Sequence, residues 1–175
     1  MSAQIIIFGT SHSLQCGNDQ YSAKQIETFR QYVYDICRSK KIDFIAEEMI
    51  SDSLDNLGRK ATVAAGVAKR LDIKHKYIDL TAEERKKLYI DDESLASAAT
   101  MVDSRLCPKQ LRNELTHKLA CPVRECYWLA HILNEKSWPT LLICGADHVE
   151  NMDKLIDSIG LHVIISESDY KPLFE

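Results

Sequence analysis

Two short runs at opposite ends of the chain, Ile5-Ile6-Ile7-Phe8 and Leu141-Leu142-Ile143-Cys144, are apolar at every position, and each is stopped by a glycine, Gly9 or Gly145. A strand with one wet face alternates apolar and polar residues. A run with no polar position reads instead as a strand covered on both faces, as in a parallel sheet. Covering both faces takes helices on both sides. The expected fold is therefore α/β, three-layer, with a mostly parallel central sheet and helices on both faces.

The rest of the chain supplies the covering layers. Ile26, Phe29, Val33, Ile36 and Cys37 recur at spacings of three and four, which predicts an amphipathic helix from about Ser22 to Lys41. A second strand is expected over Asp43-Phe44-Ile45-Ala46, ending at Glu47-Glu48. A helix with Val63, Val67 and Leu71 on one stripe is expected over 54–71, and a third strand over 75–80, ending in Asp79. Thr81-Ala82-Glu83-Glu84 has the spacing of a capping box and should start a short helix carrying Arg85 and Leu88. Residues 91–121, with Pro108 in a loop, read as a helical insertion or lid. Pro122 suits the first turn of a helix burying Val123, Tyr127, Ala130 and Leu133, with Tyr127 and Trp128 as core. A helix marked by Met152, Leu155, Ile156 and Ile159 follows the late strand, and Gly160 caps it. A last strand is expected over Val163-Ile164-Ile165, then a polar tail. With no fixed-period repeat and no low-complexity linker, 1–175 reads as a single domain.

Composition excludes some functions. The net charge is −4, with acids and bases interspersed, so no basic face recommends nucleic acid or an anionic membrane as a partner. No apolar run approaches the roughly 20 residues that span a bilayer. The opening Met1-Ser2-Ala3-Gln4 lacks the charged start of a signal peptide, and six cysteines form no Cys-x-x-Cys pair. The expectation is a cytoplasmic protein with free thiols and a small-molecule or peptide substrate.

In open α/β sheets, ligands bind beyond the carboxyl ends of the strands. Standing there are His12, then Glu47 and Glu48, then Asp79, then Asp147 and His148. Two imidazoles and a carboxylate are the ligand set of a catalytic divalent metal (Zn, Mn, Co or Fe) with one position open for water, so His12, Glu48 and His148 are candidate ligands. Such an ion brings the pKa of its water to about 7. Arg124, in Arg124-Glu125-Cys126-Tyr127-Trp128, either reaches the cleft to meet an anionic or carbonyl oxygen or pairs on the surface with Glu125. Arg85 poses the same choice. His75, His117, His131 and His162 lie in or beside periodic segments and read as structural or surface residues. A cysteine nucleophile, Cys16 or Cys144 with His12 or His148 as base, is a rival; Cys144 lies inside an apolar strand, which argues for an inert thiol. Neither glycine turn supplies the Gly-x-Gly-x-x-Gly of a dinucleotide site.

Two Gly-x-x-His motifs, Gly9-Thr10-Ser11-His12 and Gly145-Ala146-Asp147-His148, resemble those of the superfamily of TraB pheromone-shutdown proteins, TIKI proteases, ChaN-like haem-binding lipoproteins and erythromycin esterases. Asp43-Phe44-Ile45-Ala46-Glu47-Glu48-Met49 is similar to that group's second strand, and the resemblance favours Glu48 over Glu47. Arg124 matches the arginine of its helix motif, with Glu125 where Asn or Asp is commoner. The resemblance implies metal-assisted or His/Glu-assisted hydrolysis, with His12, Glu48, Arg124 and His148 as the catalytic set. It leaves the substrate open. The alternative is a binding or sensing module on the same fold, without turnover.

Overall fold

The computed structural model describes residues 3–56, 58–102 and 108–172. Its sheet contains β1 (Gln4–Thr10), β2 (Phe44–Glu47), β3 (Lys74–Tyr77), β4 (Thr140–Gly145) and β5 (His162–Tyr170), in the order β3-β2-β4-β1-β5, and every pairing is parallel. Helices α1 (His12–Gln15), α2 (Ala23–Lys40), α3 (Ser51–Asn56) and α4 (Val63–Leu71) occupy the first half. Then come α5 (Ala82–Lys87), α6 (Asp92–Val102), α7 (Pro108–Leu115), α8 (Cys121–Glu135) and α9 (Val149–Ser158).

Side chains alternate across the sheet, and the alternation builds two cores. Ile6, Phe8, Ile45, Leu141 and Ile143 point to one face, where α2 (Phe29, Val33, Ile36) and α4 (Val63, Ala64, Val67) cover them. Ile5, Ile7, Phe44, Ala46, Leu142 and Cys144 point to the other face, under α8 (Trp128, Leu129, Ile132) and α9 (Val149, Met152, Ile156). This is the expected three-layer arrangement. Each fully buried Ile, Leu or Phe contributes about 1.5–3 kcal/mol relative to exposure.

Several boundaries differ from those read in the sequence, each for a local reason. The helical sequence expected over 54–71 is divided between α3, which begins earlier at Ser51, and α4. Thr62 starts α4, its hydroxyl accepting from the Ala65 amide at 3.1 Å, and Gly58 ahead of it sits at φ +65°. β3 ends at Tyr77, leaving Asp79 two residues beyond it. Pro108 opens α7; residues 103–107 lie outside the described residues. Pro122 lies in the first turn of α8, as expected, but that helix does not begin from a loop. A π-helical turn (Thr116–Ala120) joins α7 to α8 without a break, and the Cys121 amide donates five residues back to the Thr116 carbonyl. Proline has no amide to donate and crowds the carbonyl four residues earlier, so the wider turn accommodates it.

β5 is the largest departure: it runs nine residues, taking in the segment expected as a polar tail. Its pairing with β1 shifts register between Ile7 and Thr10, and Tyr170 closes an aromatic group with Phe8, Phe29 and Tyr32, ring centroids 5.0 to 5.8 Å apart. Gly9 explains the irregularity. A Cβ there would stand 2.1 Å from the Ser168 carbonyl oxygen and 2.5 Å from Val149, so only glycine lets β5 and α9 close on β1. Among the described residues no helix is long and apolar enough to cross a membrane, and Cys16, Cys37, Cys121, Cys126 and Cys144 are free thiols.

Candidate functional site

The carboxyl ends of β1, β2 and β4, the three central strands, meet at one point. β1 delivers His12 as the first residue of α1, β2 delivers Glu48 one residue past its end, and β4 delivers Gly145 and then His148 on a 3-10 turn (Ala146–His148). The imidazoles converge on one oxygen. Nε2 of His12 lies 3.3 Å from Oε1 of Glu48, and Nε2 of His148 lies 3.5 Å from the same atom. The other oxygen, Oε2, accepts the Gly145 amide at 2.7 Å.

Arg124 reaches this carboxylate from α8. Its Nη2 donates to Glu48 Oε1; its Nε and Nη2 also donate to the Asp79 carboxylate at 3.0 and 2.8 Å. Arg124 therefore reaches the cleft carboxylates and is not the surface partner of Glu125. Asp79 gathers further donors: Arg85, and the indole Nε1 of Trp128 at 3.0 Å. Trp128 had read as core alone. It is fully buried, yet it also holds Asp79, stacks under the Arg124 guanidinium 5.0 Å from the ring centre, and meets His148 edge-on with ring centres 4.8 Å apart. No period in the sequence separates a core tryptophan from one whose N–H carries a site carboxylate.

The two histidines are unequal. His12 is half-exposed, its side chain 54% accessible, and with Ser13, Cys16, Asn18, Met49, Ile50, Arg85 and the ionic groups it lines a cleft of about 380 Å³. His148 is buried behind Glu48, and its Nδ1 meets Oε1 of Glu125 at 2.7 Å. Glu125, itself 3% exposed, thereby fixes the His148 ring.

The electrostatics assign each group a charge. Burial pushes the Glu48 carboxyl up, but the His12 hydrogen bond and the charges of His12, His148 and Arg124 outweigh it and hold the group down to about 2. The same hydrogen bond raises His12 above its ordinary value of 6.5, burial opposing. Arg124 is raised, its bonds to Asp79 and Glu48 prevailing over desolvation. Glu48 is therefore a fixed anion rather than a base, and its charge favours the protonated form of His12.

The remaining sequence candidates fall elsewhere. Glu47 and Glu48 point to opposite sides of the strand end. Fully buried, Glu47 accepts from the Thr62 hydroxyl at 2.6 Å and meets His75 Nε2 at 3.0 Å, so it ties α4 to β3 and stands apart from the cleft network. Asp147 is exposed on its turn. The thiol of Cys144 is fully buried and raised well above its ordinary value, and that of Cys16 is raised by burial and by Glu47; neither is poised as a thiolate.

The metal expectation can be tested against the donors themselves. A bridging ion would have to share Glu48 Oε1 with the Arg124 guanidinium, a cation already seated there. Among the described residues no three His, Cys, Asp or Glu side chains form a group that could hold a metal ion. As arranged here, Glu48 Oε1 faces a guanidinium as well as the two imidazoles.

Compared with protein-family models, curated proteins and solved structures, the chain has no match. The resemblance to the two-Gly-x-x-His superfamily thus rests on the motif residues alone.

Proposed function

We propose that this protein is a small hydrolase, a compact relative of the TraB, TIKI, ChaN and erythromycin-esterase group, in which His12 activates water on the floor of the cleft. The observation that carries this reading is the His12–Glu48 pair. An imidazole half open to the cleft is held through Nε2 by a carboxylate that stays ionised, leaving Nδ1 for water or substrate. The same division of labour orients and charges the histidine of an acyl-transfer triad.

In the proposed reaction His12 takes a proton from water as its oxygen bonds to an acyl carbon. Glu48 stabilises the imidazolium. The carbonyl oxygen gains charge opposite Arg124, whose Nε and Nη2 are committed to Asp79 and Glu48 and whose Nη1 remains for the oxyanion. The acyl–heteroatom bond then breaks, and His12 returns the proton to the leaving group.

Purified protein assayed on a panel of esters, lactones and peptides tests this. Turnover should survive exhaustive chelation and fall by about 10²–10⁴-fold in His12→Ala. A His12→Ala variant as active as the parent would sink the reading. The metal version makes His12, Glu48 and His148 the ligands of a divalent ion that supplies hydroxide. It predicts that chelation abolishes turnover and that re-added metal restores it. A second reading, binding without turnover, draws on Glu48 having both oxygens committed. It predicts a ligand retained in native mass spectrometry and no substrate consumed.

A further inference from the structure

Arg85 stands on the cleft wall with Arg124, and the two share the Asp79 carboxylate. Their free edges differ. Arg124 spends both hydrogens of Nη2, one on Asp79 and one on Glu48, and so has only Nη1 to offer. Arg85 spends Nε on the Leu80 carbonyl at 3.1 Å and a single Nη2 hydrogen on Asp79. Its outer edge, Nη1 together with the second Nη2 hydrogen, makes no hydrogen bond to a described residue. Two parallel N–H groups along one guanidinium edge match the two oxygens of a carboxylate.

The guanidinium is also held in place. Its helix, α5, begins with a complete capping box: the Thr81 hydroxyl accepts from the Glu84 amide at 3.2 Å, and the Thr81 amide donates to Glu84 at 2.8 Å. The side chain is 33% exposed, the most accessible of the cleft's arginines. Asp91 and Asp92 line an adjoining pocket with Arg85, and the oxygens of Asp91 cap α6 through the Ser94 amide at 3.1 Å and the Ser94 hydroxyl at 2.5 Å. The formal charges of Arg85, Arg124, Asp79 and Glu48 cancel, so the free guanidinium edge, not a net charge, is what the cleft offers an anion.

We propose that Arg85 anchors a carboxylate carried by the substrate, so that the site selects small anionic acyl compounds over their neutral counterparts. This rests on the hydrolase reading, and the test separates the two. The anionic 4-acetoxybenzoate and its neutral methyl ester place the same acetyl group on similar leaving groups. The parent protein should show a kcat/KM at least tenfold higher for the anion. In Arg85→Gln that ratio should fall to near one, chiefly through KM, and Arg85→Lys should keep part of it. Calorimetry with 4-hydroxybenzoate reads the anchor without turnover, with binding expected to weaken at least tenfold in Arg85→Gln, and thermal melts establish that the variants are folded. If neither ester is cleaved but 4-hydroxybenzoate binds through Arg85, the anchor stands and the hydrolase reading falls. If both esters are cleaved without preference and 4-hydroxybenzoate does not bind, the anchor falls alone. Binding of inorganic phosphate in place of the carboxylate would also overturn it.

Discussion

At residue 145 the absence of a side chain is a matter of reach. Its φ of −59° is open to any residue, but an added Cβ would lie 3.3 Å from Glu48 Oε2 and 3.9 Å from His12 Nε2. The Gly145 amide holds that same Oε2, so a methyl group would push against the carboxylate its own backbone positions. Gly145→Ala should fold with a melting temperature within a few degrees of the parent and lose about 10- to 100-fold in kcat/KM, because displacements of under an ångström are costly in a catalytic pair. Equal activity would mean that Glu48 has more slack than the geometry allows. The charge on Glu48 has its own signature. It raises the His12 pKa, and a base works only when neutral, so kcat/KM should climb through an apparent pKa above 6.5. Glu48→Gln removes the raising partner. Residual activity should then climb at lower pH than in the parent, and a pH–rate profile reads the difference. A limb that stays in place would separate the titrating group from His12.

At the scale of elements, α5 does more than connect β3 to the helical segment. Its capping box fixes the start of the helix that presents Arg85 to the cleft. Thr81→Ala leaves donors unmet at the first turn and should cost about 1 kcal/mol of stability. If Arg85 anchors substrate, the same variant should raise KM more than it lowers kcat, as steady-state kinetics would reveal. This helix was legible in the sequence because its signal is local: Thr81 and Glu84 stand three apart. The strand ends were legible for the same kind of reason, and they placed His12, Glu48 and His148 on one edge. Other features were not legible, because distant residues decide them. Nothing within 54–71 announces that Thr62 both caps α4 and donates to Glu47 of β2. The polar look of 166–170 concealed a strand, since its pairing depends on Gly9 far away in the chain. The roles of Trp128 and Glu125 likewise need α8 laid against Asp79 and His148.

For the whole molecule, the two large cores and the candidate site share the same central strands, so stability and the geometry of the site are coupled there. Ile5 to Phe8 and Leu141 to Cys144 are fully buried between the helical layers, and the ends of those strands hold His12 and Gly145. The segment α6–α7 lies outside this arrangement. It packs through a small separate cluster, Leu80, Ile90, Leu95 and Ala120 with Leu115, Val123 and Tyr127 beside it. Local opening free energy scales with the buried apolar contact an element must give up, and a satellite cluster gives up far less than a strand covered on two faces. Hydrogen exchange followed by mass spectrometry should therefore show α6 amides exchanging through a subglobal opening, while β1 and β4 amides wait for global unfolding. Adding 4-hydroxybenzoate should slow exchange around α5 if Arg85 binds it. Equal protection in α6 and β4 would mean that the helical segment and the sheet unfold as one unit, and the distinction between a rigid site edge and a separately yielding helical segment would have to be abandoned.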